Sequence, residues 1–171
     1  MLEMGIKPTS VVAAGGVPEY GVGQRAAGAA SVNAGGVLGM KEYIYVQDSG
    51  SGITGEGYIC VFDPVAGTAV MATTTNTAGG TGQGKLFGIA QAAIAANGYG
   101  WLQIYGLTNV NVLTLAAAYT QINTTATAGT ADDDATAGAR VLHGLNLTTA
   151  RGASTGLAPG FISWPWIGRT L

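Results

Sequence analysis

The spacing of its turn signals constrains this chain most. From Met40 on, short β-branched and aromatic runs are broken by glycine- or proline-bearing clusters at intervals of about eight to twelve residues. "KEYIYVQD" (41–48) alternates Tyr43, Tyr45 and Gln47 with Ile44 and Val46, the period of a strand. "SGSGITGEG" (49–57) is a turn cluster, "YICVFD" (58–63) a second strand closed by Pro64, and "GTAVMATTT" (67–75) a third. A series of this kind specifies an all-β fold, expected as a compact β-sandwich or barrel-like domain over residues 39–171.

The stretch "LFGIAQAAIAANGYGWLQIYG" (86–106) allows two local structures. Alanine is the best helix former, so residues 86–96 are compatible with three helical turns. Yet the run ends in Asn97-Gly98, a strong hairpin signal, and residues 99–106 alternate with period 2. The hairpin is the preferred reading. Its turn is expected to be type I′, with positive φ at both Asn97 and Gly98.

Residues 1–38 differ from the rest. Their glycines recur every few positions without a sustained period, which suggests an extended Gly/Ala-rich N-terminal arm ordered by what it lies against, expected to be other subunits rather than its own domain. Further along, 109–115 and 117–127 read as strands, 128–138 as a polar loop, and 139–150 as another strand. In the closing "GLAPGFISWPWIGRTL", Pro165 between Trp164 and Trp166 predicts an edge strand or a docked extension.

Charge excludes several function classes. Charged residues make up 9% of the chain against about 25% in ordinary soluble domains, and the net charge is −2. The basic residues are scattered singly, so no stripe exists to neutralise phosphates and nucleic acid is not an expected partner. No apolar run approaches membrane-spanning length, so no membrane partner is expected. The lone Cys60, alternating with Ile59 and Val61, reads as a small core residue.

The motifs that resemble chemistry do not complete themselves. Gly79, four residues, then Gly84-Lys85 matches the spacing of a phosphate-binding loop, but Leu86 stands where a magnesium-holding Ser or Thr belongs. His143 is the sole histidine and sits among leucines, as a packed strand residue would. Asp132, Asp133 and Asp134 read as a solvated loop tip. A calcium loop starting there would need an acid at its twelfth place, which is His143. No catalytic, cofactor or metal residue is assigned, and the chain is not expected to be an enzyme. Trp101 reads as core. Trp164 and Trp166 are hard to bury in one small domain, and with Tyr20 and Arg25 of the arm they are the interface candidates.

The run "KLFGIAQAAIAANGYGWLQIYG", the "VNVL" that follows, the Gly/Thr/Ala-rich acidic stretch and the late "LHGLNLTTA" resemble head decoration (cement) proteins of tailed bacteriophages over roughly residues 40–165. The resemblance implies a small β-rich protein, made in the host cytoplasm, that joins the outside of the capsid. It implies the major capsid protein as partner, together with self-association as a homotrimer, with a dimer as the alternative. A fibre or tail component that binds a host receptor or carbohydrate is the second expectation.

Overall fold

A computed structural model describes residues 6–29 and 39–170. It is all-β: β1 (Arg25–Ala29), β2 (Met40–Asp48), β3 (Ile59–Asp63), β4 (Thr68–Met71), β5 (Leu86–Ala90), β6 (Tyr99–Val112), β7 (Asn123–Thr124), β8 (Ala131–Asp132), β9 (Arg140–Leu147) and β10 (Gly156–Thr170). All ten strands belong to one hydrogen-bonded sheet, in the order β1-β2-β4-β3-β5-β10-β6-β8-β7-β9, with further pairings β2–β6, β5–β6 and β10–β9. The pairings close two large circuits, β2–β4–β3–β5–β6 and β6–β8–β7–β9–β10, which share β6, and a small one between them, β5–β6–β10.

Each large circuit encloses a core. Ile44, Val46, Cys60, Phe62, Ala90, Leu102 and Ile104 meet in the first. Val110, Val112, Ala131, Leu142, Leu145, Ile162 and Ile167 meet in the second, joined by Ile59, Val61, Phe87 and Ile89. Strand β3 therefore sends alternate side chains into different cores, and its unbroken apolar run "ICVF" is what a strand buried on both faces requires. Strand β6 passes from one circuit to the other at Gly106, whose φ of 100° suits only glycine and where a Cβ would lie 2.6 Å from the Met40 carbonyl oxygen.

A third cluster lies outside both large circuits. Tyr43, Tyr45 and Trp101 are buried with Ala26, and Ile6, Tyr20 and Tyr99 pack against them. The cover comes from residues 6–29, inside the stretch read as an arm: β1 pairs antiparallel with β2, and Val12 bridges to Tyr99. These described residues lie on the chain's own domain, unlike the expectation of an arm on neighbouring subunits. The reason is that both faces of β2 are apolar, and its aromatic face needs a partner. Burying each aromatic or large aliphatic side chain contributes about 1.5–3 kcal/mol, so the shared cluster offsets part of the cost of ordering the segment. Residues 1–5 and 30–38 lie outside the described residues.

Other local expectations change as well. No helix forms at 86–96; β5 ends at Ala90 and pairs with β6 through Ile89↔Gln103 and Ala90↔Leu102. The intervening turn closes with Gly98 N donating to the Ala95 carbonyl, and Asn97 alone takes positive φ (58°). The tight type I′ hairpin is thus replaced by a longer connection, because Ile94 is drawn aside to pair with Ile53. Residues 109–112 continue β6, and of 117–127 only Asn123–Thr124 is strand. Most importantly, β10 is no edge strand. It pairs with β6, β9 and β5 despite Pro159 and Pro165.

Candidate functional site

The way β10 tolerates Pro165 builds the candidate site. Up to Ser163 the strand pairs with β6, at Ser163↔Tyr105; from Trp166 it pairs with β5, at Trp166↔Leu86. The exchange of partners is a kink in which Trp164 takes φ 48° and the ladder to β9 breaks between Ile162 and Trp166. A missing N–H is harmless at such a break. Opposite the kink, Gly144 has φ 79°, and a Cβ there would run into the Ser163 carbonyl oxygen. Left-handed backbone in a residue as bulky as Trp164 is strained by about 1–3 kcal/mol.

The kink presents two tryptophans to different surroundings. Trp164 is 49% exposed and rims a cleft of about 260 Å³ with Arg25, Leu86, Pro64 and Pro165, over a floor of Ile44, Phe62, Phe87 and Ile104. The Arg25 guanidinium lies 4.4 Å from the Trp164 ring centroid and 3.5 Å from the Glu42 carboxylate. Tyr105 approaches the same indole, with centroids 6.2 Å apart.

Trp166 is 43% exposed and lines a separate cleft of about 470 Å³ with Gly80, Gln83, Gly84, Val141, His143, Ile167 and Arg169. Its register partners are Leu86 on one side and His143 on the other. The His143 imidazole stacks on the indole at 4.0 Å and 13°. The imidazole fits there because Gly168 is bare, since a Cβ at that position would come within 2.6 Å of Nε2.

Of the four interface candidates, the structure thus brings Arg25 and Trp164 together and puts Trp166 in a neighbouring cleft. Tyr20 is placed elsewhere: it makes edge contacts with Tyr45 and Trp101 at 5.3 and 4.9 Å and belongs to the aromatic cluster. Leu86 and His143 reach Trp166 through strand register, Gln83 through the loop tied to β10, and Arg169 along β10 itself, none of which local sequence pattern shows.

The phosphate-loop spacing has a different outcome. Residues 79–85 run into strand β5, not into a helix whose N-terminus would face a phosphate. Lys85 Nζ donates to Asp63 Oδ2 at 2.9 Å. That bond, followed by the Ala66 and Val65 backbone amides, holds the Asp63 carboxyl down at about 2. The loop is tied to β10 instead: Gly84 N donates to the Ile167 carbonyl, and Ile167 N to that of Lys85.

The acidic triplet is also rearranged. Asp132 is buried in β8, opposite Asn123, and is no loop tip; burial raises its carboxyl above the usual range. Asp133 is half-buried and Asp134 exposed. Among the described residues no group of three or more His, Cys, Asp or Glu side chains is arranged to hold a metal ion. Cys60 is fully buried, which pushes its thiol up and leaves it unreactive. No described helix is long and apolar enough to cross a membrane.

One further segment displays apolar side chains. Leu115 and Tyr119 are 71% and 78% exposed, with φ of 65° and 58°. The buried Ala116 and three backbone bonds, Leu115 N to Gly152 O, Arg151 N to Ala116 O and Tyr119 N to Leu147 O, pin this loop in place. No family model matches the chain, and no curated protein matches its sequence.

Proposed function

We propose that this chain is a virion structural protein, a cement that binds the outside of a tailed-phage capsid and stabilises contacts between major capsid protein subunits. The observation that carries this reading is the cleft at Trp164. A half-exposed tryptophan and a 45% exposed Leu86 border an unfilled apolar floor. Exposed aromatic anchors at a pocket of this kind are what protein interfaces use. The sparse charge of the chain suits a surface destined for cover by other subunits.

In this reading the domain sits on the outer capsid surface as a homotrimer, with a dimer as the alternative arrangement. Several weak contacts per oligomer then act together through effective concentration. Neither nucleic acid nor membrane is a partner, and no reaction is catalysed. A fibre or tail component that binds a host receptor or carbohydrate is the second reading, favoured by the Trp166–His143 stack.

Cryo-EM of the purified particle tests both. The cement reading expects copies on the head at stoichiometry near that of the capsid protein, with Trp164 in contact with it. A few copies confined to the tail would replace it with the second reading.

A further inference from the structure

The geometry points to the cleft at Trp166 as a binding site for an acidic saccharide, a hexuronate ring stacked on the indole with its carboxylate on Arg169. This deepens neither the capsid contact nor its stoichiometry: the cleft is separate from the one at Trp164, and a head protein or a tail protein can carry it.

Three features define the site. The first is a preorganised aromatic platform. His143 backs the Trp166 indole at 4.0 Å and 13°, its ring filling the space that Gly168 leaves by having no side chain. With His143 on one side, the exposed part of Trp166 borders the cleft. An indole held in this way offers a flat apolar surface to the C–H face of a pyranose.

The second feature is the polar edge. The two ion pairs among the described residues are Arg25–Glu42 and Lys85–Asp63, so Arg169 has no carboxylate partner there. Among the described residues no acidic side chain lines the cleft, whose polar side chains are Arg169, Gln83 and His143. A guanidinium binds a carboxylate bidentately, and the Gln83 amide both donates and accepts, as ring hydroxyls require.

The third feature is access. Gly80 and Gly84 form the opposite wall, and a Cβ at either would meet nothing within 4 Å, so the wall is bare and open. A volume of about 470 Å³ falls within the range of small-ligand sites.

The same features argue against a nucleotide. A stacked base with its phosphates needs more than one cation along its path. Lys85, the basic residue of the 79–85 loop, is engaged by Asp63 and does not line this cleft. One guanidinium suits one carboxylate per ring.

The test uses the purified full-length protein, titrated with an oligogalacturonate, a neutral hexose oligomer of equal length and ATP. Calorimetry and tryptophan fluorescence are the readouts. Oligogalacturonate is expected to bind with Kd of roughly 0.1–1 mM, the scale of a shallow site with few contacts. Trp166→Ala should weaken it more than tenfold. Arg169→Gln, which leaves the platform intact, should abolish the preference for the acidic over the neutral oligomer, and Trp164→Ala should leave the titration unchanged. Absence of binding at millimolar oligogalacturonate overturns the proposal, as does tighter binding of ATP or unaltered affinity in Arg169→Gln. None of these outcomes bears on head occupancy, which is measured on particles.

Discussion

Trp164 and Trp166 stand two residues apart on one strand, yet they border clefts of opposite character. Around Trp164 the lining is apolar and its one charge, Arg25, is already paired. Around Trp166 the lining carries a histidine, a glutamine and an arginine without a carboxylate partner among the described residues. In a regular strand, residues i and i+2 face the same side and share neighbours. The kink at Pro165 cancels that rule, because β10 changes its neighbour from β6 to β5 there. Residue type says little about the role of an exposed aromatic; the strand beside it decides.

The kink itself is the first place to break the comparison. Gly144→Val puts a β-branched side chain at positive φ and against the Ser163 carbonyl. Strain and overpacking together should cost about 3–5 kcal/mol in urea unfolding. A loss below about 1 kcal/mol would show that β10 can be accommodated without this bulge and that the difference between the clefts has another origin.

Next come the tryptophans one at a time. Trp164→Ala should weaken attachment to heads by about 2 kcal/mol, roughly thirtyfold, as removal of an interface anchor does. Trp166→Ala should alter attachment by less than about 0.5 kcal/mol. Occupancy measured by gel densitometry on decorated heads separates the two, and the reverse order would exchange their assigned roles.

A smaller effect is expected at Arg25. Arg25→Ala removes the cation–π contact and the pair with Glu42, together about 1 kcal/mol at a half-exposed site. Because β1 has β2 as its strand partner, the loss should appear as faster hydrogen exchange at the β1 amides, with β10 unaffected. Equal acceleration in both strands would mean that Arg25 braces the kink as well as the N-terminal segment.

Leu115→Gly is the control that touches neither cleft. Glycine relieves the positive φ, so stability should rise by about 0.5–1 kcal/mol in thermal or urea unfolding. Head attachment and oligogalacturonate binding should both stay unchanged. A fall in attachment would add this loop to the capsid contact and end the assignment of that contact to the Trp164 cleft alone.

The smallest effect concerns the loop that walls the polar cleft. Lys85 anchors it to Asp63, whose carboxyl is held at about 2 instead of the ordinary 3.8. A depressed carboxyl adds stability above its unfolded value and loses it as the pH falls through its folded one. The melting-temperature gap between wild type and Asp63→Asn should therefore be present at neutral pH and close between about pH 3.8 and 2. Absence of any gap at neutral pH would assign the loop's anchorage to the Gly84 and Ile167 backbone bonds alone.

Local pattern was enough for the all-β class and for the strands read at 41–48, 58–63 and 99–106, within a residue at the first two and six residues short at the end of the third. Alternation of Tyr43, Ile44, Tyr45 and Val46 fixes a strand whatever surrounds it, since side chains of successive residues must point to opposite faces. Trp164 and Trp166 could likewise be singled out, being too large and too close together for one small core. What local pattern could not supply is which face receives a cover. Tyr45 and Trp101 became an inner surface because residues 6–29 return over them, and Asp132 became buried because β8 slots between β6 and β7. Pairing between strands far apart in the chain depends on the register of every neighbour at once. That is why Pro165 could be read only as the mark of an edge strand or a docked extension, while in the folded chain it marks the point where one central strand passes between two partners and separates an apolar cleft from a polar one.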